Sequence, residues 1–357
     1  MKKKASFILL TVTLIALSLY SSSKVAQAQS VTPKPEDERL AKLIEGAKEE
    51  RKVSVWGVFE QNDFVKLAAA FNAKYPFIKV AYWHSTPMPM FKKIEAEHRA
   101  GKVSGDFIGP LDTATAVKIK RDGVLMKHDW PNTNDWLPMF KDPDGYLCVR
   151  NDNANGIAYN TKLLKAEAAP KSYEELTDPK WKGKFSWWQH NTPFLPIARK
   201  IYGEEKAVEL LKKLMANKPI IVSSPATIVT KLAAGEFPVA AGVYAYNVIR
   251  DKEKKGAPID FVFSEPIWAH NGFQAITARA PHPNAAKLWA DFITSEEGQK
   301  LSTETDGEMS PNAKLRMLSR EGQLTKGMKR LYYWYEDVPW MVKEGYKLYY
   351  GIVVGVR

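Results

Sequence analysis

Four short clusters carry the side chains best suited to grip a small molecule. Phe59, Glu60 and Gln61 follow one apolar run, and Gln189, His190, Asn191 and Thr192 follow another. Ser223, Ser224 and Thr227 open one helical pattern, and Tyr244, Tyr246 and Asn247 open the next. These clusters combine ring faces, which supply contact area, with hydroxyl and amide groups, which fix the orientation of an organic molecule. Exposed N–H groups at helix starts add a preference for anions. The candidate ligand-binding residues are therefore Phe59, Glu60, Gln189, His190, Asn191, Ser223, Ser224, Tyr244, Tyr246 and Asn247. For Ser224, Tyr244 and Tyr246, direct contact and support of a contacting group weigh equally. Trp56, Trp187 and Trp289 read as core.

Catalytic chemistry has little footing. There is no GxSxG, HExxH, Walker-type phosphate loop or CxxC. His84, His98, His128, His190, His270 and His282 form no i, i+4 metal-ligand pair. Cys148, the one cysteine, sits in an apolar strand pattern and reads as a buried thiol. Glu204/Glu205 and Glu296/Glu297 fall at helix starts, where negative charge complements the helix dipole. No catalytic residue, metal site or cofactor is assigned, and the chain reads as a non-enzyme.

The elements that position these clusters alternate. Leu40, Leu43, Ile44 and Ala47 mark a helix face within 36–50; Val53–Phe59 is a strand; Phe64, Leu67, Ala68 and Phe71 mark the next helix. Strand Phe77–Trp83, helix Met90–Arg99 and strand Asp106–Gly109 continue the pattern, which implies a parallel sheet. Tyr146–Arg150 and Ile157–Asn160 read as paired extended segments around a turn-rich Asn151–Gly156. The alternation then restarts: strands Phe185–Trp188, Pro219–Ser223 and Pro238–Val243 are interleaved with helices over Ala207–Leu214, Ala226–Ala234 and Tyr246–Lys254. A strand near Phe273–Ala278 leads to a helix face of Ala285, Leu288, Trp289 and Phe292. The aromatic-rich stretch Tyr332–Tyr350 reads as cover over one lobe. In open α/β sheets ligands sit beyond the C-terminal ends of strands, which nominates the clusters above.

Composition is globular, at 45% apolar and 26% charged over 357 residues, a length for about two domains. Lys2–Lys4, an apolar run Phe7–Leu19 and Ala26-Gln27-Ala28 read as a secretory signal cleaved before Gln29, too short in its apolar run to span a membrane. No lipoprotein cysteine stands at that site. Formal charge is +12; four lysines in residues 1–28 account for four of it and leave +8 on the mature chain. That charge attracts anions. No nucleic-acid recognition motif accompanies it.

Several stretches then carry a likeness. They are Leu43–Glu50 (LIEGAKEE), Ala158-Tyr159-Asn160-Thr161, Ala169–Tyr173 (APKSY), Asp178–Lys184 (DPKWKGK), Leu232–Pro238 (LAAGEFP), Pro281–Lys287 (PHPNAAK) and Ser295–Gln299 (SEEGQ). Together, and in this order, they resemble the bacterial extracellular solute-binding proteins of ferric-ion, polyamine and thiamine type. The resemblance implies an α/β type II periplasmic binding protein, two α/β lobes around a ligand cleft with hinge crossovers. Residues 1–28 would be the signal peptide, 29–112 and 268–318 lobe 1, and 113–267 and 319–357 lobe 2. It implies a monomer in the periplasm that closes on a small-molecule solute and delivers it to an ABC permease and its ATPase in the inner membrane, with no nucleic-acid partner. Ferric-binding relatives use adjacent tyrosines and commonly a His after the first strand; here Ala245 separates Tyr244 from Tyr246, and Phe59-Glu60 replaces the His. An anionic organic solute is therefore expected, with ferric ion as the alternative. Polyamine relatives use acidic cleft residues, for which Glu60, Asp112 and Glu265 are available. A periplasmic enzyme with an aromatic cleft, such as a sugar-active hydrolase, and a ligand-sensing receptor are the rival readings.

Overall fold

The computed structural model describes residues 35–355 except 60, 86 and 336. The signal-peptide reading and Glu60 thus lie outside the described residues. The strands are β1 (Lys52–Gly57), β2 (Lys79–His84), β3 (Phe107–Leu111), β4 (Leu125–Met126), β5 (Cys148–Asn160), β6 (Phe185–Trp188), β7 (Ile220–Val222), β8 (Val239–Tyr244), β9 (Ile259–Val262), β10 (Ile267–Thr277) and β11 (Arg330–Leu331). The helices are α1 (Pro35–Glu50), α2 (Gln61–Lys74), α3 (Pro87–Arg99), α4 (Thr113–Arg121), α5 (Phe194–Tyr202), α6 (Glu204–Ala216), α7 (Pro225–Ala234), α8 (Ala245–Lys255), α9 (Pro283–Thr294), α10 (Glu296–Asp306) and α11 (Arg320–Leu324). Helical segments Val338–Trp340, Met341–Gly345 and Tyr346–Val353 follow.

The sheet runs β2-β1-β3-β10-β5-β8-β6-β7, with β4 and β11 on β10 and β9 on β5. Two parallel groups, β2-β1-β3 and β8-β6-β7, flank the antiparallel pair β10-β5. This is the α/β type II architecture, with two βα units meeting at two long central strands. Parallel strands need covering on both faces, and the sequence supplies it. On the β1 side, Phe71 of α2 meets Trp289 of α9 edge-on at 5.1 Å between ring centres. On the β6 side, Phe185, Trp187, Phe194 and Leu211 bury completely with Tyr349 from the C-terminal helix. Trp56, Trp187 and Trp289 are core residues, 3%, 0% and 0% exposed. Truncating either fully buried tryptophan to Ala would cost about 3–5 kcal/mol.

The central strand departs from the sequence reading. Asn151–Gly156 is no turn but the middle of the continuous strand β5. Its polar side chains are held in place by partners that come from far along the chain. Asn151 Oδ1 accepts from Gly272 N at 2.8 Å. Asp152 Oδ2 accepts from Arg316 Nη2 at 2.7 Å and from the Tyr332 hydroxyl at 2.8 Å. Arg150 donates to Asp306 Oδ2 at 2.6 Å and pairs with Glu308. Ala154 N donates to Glu321 Oε1 at 2.8 Å, and Arg330 Nη2 reaches the same oxygen at 2.9 Å. Asn and Asp favour turns because their side chains compete for local backbone groups. Here distant arginines and backbone amides occupy those side chains, so the strand persists. Burial of this network raises the carboxyls of Asp306 and Glu321 above their ordinary range.

The stretch after β3 packs on the β1 side. β4 pairs with Ile276 and Thr277 of β10, and His128 Nε2 lies 2.8 Å from Asp291 Oδ1 of α9. Cys148 is 1% exposed on β5, and burial pushes its thiol well up, as befits an inert core residue. The C-terminal stretch is more than a cover. Val338 and Met341 pack on Ala114 and Val117 of α4, while Tyr349 and Val353 enter the β6-side core.

Candidate functional site

The strands β8, β6 and β7 are parallel neighbours, so their C-terminal ends open on the same edge. Helices α7 and α8 start there, bringing backbone N–H groups to one mouth. Tyr244 is the residue before α8, in extended conformation (φ −88°, ψ 134°), and gives that helix no side-chain cap. The first-turn amides of α8 are therefore left for other acceptors. Because Tyr244 is extended and Tyr246 helical, their rings do not diverge. They stack at 5.9 Å with a 26° tilt. Trp188, at the end of β6, meets Tyr244 edge-on at 5.7 Å and donates from Nε1 to the Ser223 carbonyl at 3.3 Å.

β10 contributes His270 from the central pair. Its Nδ1 lies 3.4 Å from the Tyr244 hydroxyl. Desolvation lowers the His270 pKa to about 4, although the carboxylates of Asp112 and Asp152 pull the other way. The imidazole is half-buried and keeps some contact with solvent. Burial likewise pushes the Tyr244 phenol well up and the Tyr246 phenol to about 12. The wall is thus aromatic, uncharged and rich in hydroxyls at neutral pH. Asp112, close enough to bear on both Tyr244 and His270, follows β3 and caps α4 by accepting from Ala114 N and Thr115 N, both at 3.1 Å.

Tyr244, Tyr246 and Ser223 thus come together from the expected residues, and Trp188 and His270 join them. Ser223 is exposed, and Ser224, half-buried, accepts from Thr227 N at 3.5 Å as the cap of α7. Gln189 sits at the mouth, its N–H donating to the Val222 carbonyl at 2.9 Å. His190 Nδ1 pairs with the Tyr350 hydroxyl at 3.1 Å, and burial lowers its pKa. Three residues lie deeper. Asn191 is wholly buried beneath Gly242, whose φ of +75° suits glycine and whose missing Cβ leaves room for the Asn191 amide. Asn247 is 5% exposed. Phe59, also 5% exposed, packs on Phe64 and beneath the Arg150 guanidinium, 4.4 Å from its ring centre. Glu265 lies away from the strand ends, accepting from Lys329 N at 2.6 Å.

Sequence reading missed Trp188 and His270 as wall residues. Trp188 was visible as the last residue of a strand. His270 had no local signal, because the strand that holds it begins six residues before the segment recognised in the sequence. Two surface hollows lie elsewhere, one of about 120 Å³ beside Tyr173 and Trp268 and one of about 210 Å³ beside Trp130 and Leu147. Neither gathers the strand ends, so the Tyr244 mouth is the stronger site on geometry. Among the described residues no three His, Cys, Asp or Glu side chains gather as a metal site. No helix among them is long and apolar enough to cross a membrane.

Residues 106–325 match the family of bacterial extracellular solute-binding proteins. The chain belongs to that family. Solute-binding transport proteins, not enzymes, make it up, and they work outside the cytoplasm. An uncharacterised protein of Haemophilus influenzae (strain ATCC 51907 / DSM 11121 / KW20 / Rd) is 26% identical over 268 residues, 68% of this chain and 76% of that one. Among solved structures, iron-bound HitA from Pseudomonas aeruginosa superposes with a TM-score of 0.70 at 19% identity, over 85% of this chain and 99% of that one. The ferric binding protein from Campylobacter jejuni gives 0.73 at 19%, over 84% and 99%. The periplasmic binding protein AfuA from Actinobacillus pleuropneumoniae, with exogenous fructose-6-phosphate bound, gives 0.71 at 24%, over 82% and 98%. These likenesses share the type II fold with this solute-binding protein.

Proposed function

We propose that this solute-binding protein captures a small anionic organic solute in the periplasm and hands it to an ABC permease and its ATPase. The observation that carries the reading is the Tyr244 mouth. An uncapped helix start supplies N–H groups for an anionic head, and Trp188, Tyr244 and Tyr246 supply ring faces for an organic body. AfuA, which takes a sugar phosphate in a fold of this kind, supports the class of solute. The two lobes of this reading meet at β5 and β10 and close on the solute as a monomer. The packing of β4 and His128 on the β1 side favours assigning residues 113–147 to the first lobe. Cleavage before Gln29 would release the mature chain.

Native mass spectrometry of freshly purified protein tests the reading, with fructose 6-phosphate, inorganic phosphate and ferric citrate as added probes. A co-purified organic anion, or an organic phosphate retained in preference to the other two, supports it. A co-purified cation or no response to any anion counts against it.

A second reading has its own observation. Tyr244, Tyr246 and His270 stand together with Asp112 nearby, a set of oxygen and nitrogen donors that suits ferric ion. The raised phenols oppose it, since iron would have to displace protons that burial holds in place. A visible phenolate-to-iron band on titration with ferric citrate, lost in Tyr244→Phe, would favour it over the organic anion.

A further inference from the structure

The C-terminal helix spans the two sides of the cleft. Its Tyr346 hydroxyl donates to Asp112 Oδ1 at 3.3 Å, on the β1 side. One turn later, the Tyr350 hydroxyl pairs with His190 Nδ1 at 3.1 Å, on the β6 side. The two rings stack at 6.3 Å on one helix face, as residues four apart should. Asp112 follows β3 and His190 follows β6, so the pair joins two strand-end loops of opposite sides.

The packing around the helix has the same division. Val338 and Met341 anchor against α4. Tyr349 and Val353 anchor in the β6-side core, where the Tyr349 hydroxyl accepts from Trp187 Nε1 at 3.0 Å and donates to the Trp188 carbonyl at 3.1 Å. The π-helical turn Met341–Gly345 runs from the Met341 anchor to Tyr346. Such turns, with an extra residue in the helix, recur at functional positions. The chain therefore crosses between the sides a third time, beyond β5 and β10, and does so at the rim of the mouth.

We propose that Tyr346 and Tyr350 are positioning residues for solute capture. They set the separation of the two walls by holding Asp112 and His190 from one helix, and the π-turn is where this strap gives when the walls part. The proposal rests on the two-lobe reading but needs no solute to test. It also predicts that the strap biases the ligand-free protein toward narrow separations. Each hydrogen bond lost should shift the narrow-to-wide ratio by roughly fivefold.

The experiment uses the full mature chain without ligand. Spin labels are placed at Lys92→Cys on α3 and Lys212→Cys on α6, both exposed positions on opposite sides. Cys148, 1% exposed, is left native and checked for labelling in the parent. Distance distributions are compared for the labelled parent, Tyr346→Phe, Tyr350→Phe and the double variant, with thermal unfolding in parallel. The phenylalanines keep the ring packing, so folding should survive; Asp112→Ala and His190→Phe, which leave no side-chain partner for the two hydroxyls, remove the same bonds from the far side if it does not. A longer-distance population that grows from single to double variant, with a near-parental melting temperature, supports the proposal. A distribution that stays parental in the double variant, or in both far-side variants, overturns it. Failure of the anion reading would appear separately, as absence of bound anion in mass spectra of the parent.

Discussion

The central strand and the cleft wall beside it solve opposite problems with polar side chains. Along β5, full charges are buried and paired: Arg150 with Asp306 and Glu308, Asp152 with Arg316 and Arg330. At the Tyr244 mouth, rings, hydroxyls and an imidazole stay uncharged, half-buried and loosely bonded, as in the 3.4 Å contact of Tyr244 with His270. The first arrangement fixes geometry, because a buried charge without its partner is very costly. The second leaves hydrogen-bonding capacity free for a guest. A binding protein needs both, a frame that bends in one way only and a wall that is not already satisfied.

Breaking the frame should have the largest effect. Arg150 has 3% side-chain exposure and faces two acids. Arg150→Met takes the charged partner from both, leaving Asp306 only Ser302 and the Glu308 amide and Glu308 only Asn153, and should cost about 3–5 kcal/mol in urea unfolding. A loss below about 1 kcal/mol, the range of surface pairs, would mean the network is no frame and would erase the contrast.

The uncharged wall has a pH signature. The unfolded His270 takes up a proton near its ordinary 6.5, the folded one only near about 4. Between these values unfolding binds a proton, so stability is full above pH 6.5 and falls as pH drops toward 4. Asp306 and Glu321, raised by burial, act in the reverse sense, giving stability at low pH that fades as pH rises through their folded values. Comparing the parent with His270→Gln cancels their part. The variant should lose less stability on acidification across this window; parallel losses in the two proteins would show that His270 is not held neutral.

Tyr244→Phe should separate the regions most sharply. The ring contacts with Trp188 and Tyr246 persist, so stability should change by less than about 1 kcal/mol. Retention of the co-purified solute should fall about tenfold, the worth of one good hydrogen bond in a shielded site. Unchanged retention would move the solute away from this hydroxyl.

Much of this was legible in the sequence, and what was not has physical reasons. Helix faces such as Phe64, Leu67 and Phe71 follow from periodicity, and the apolar run read as strand Pro238–Val243 falls within one residue of the observed Val239–Tyr244. The run Asn151–Gly156 misled because residue types encode local preference, while Arg316 and Arg330, which hold Asp152, lie 164 and 178 residues away. His270 escaped for the same reason, since its role depends on pairing across β5 and β8 rather than on neighbours in the chain. The tyrosine pair is conspicuous in the sequence, but its stacking depends on where α8 begins, at Ala245 rather than at Tyr246. Ends of elements are the least readable feature of a sequence, and ligands sit at the ends.

Ser224 offers the smallest and finest test. It stands where frame and wall meet, as the cap of α7 and as a hydroxyl at the mouth. The cap is weak, since Oγ accepts from Thr227 N at 3.5 Å, the long limit for such a bond. Capping alone predicts that Ser224→Ala costs about 0.5 kcal/mol, the low end for this loss, and that Ser224→Gly costs only a few tenths. A capping role also predicts that neither change alters solute retention beyond what the lost stability explains. A solute-contacting hydroxyl predicts a different order. Both variants would then retain less solute to the same degree, because Ala and Gly lack the oxygen equally, while their unfolding midpoints differ. Measuring retention by native mass spectrometry and stability by urea for both variants separates the two. Equal loss of retention with unequal stability places Ser224 on the wall; retention that tracks stability leaves it in the frame.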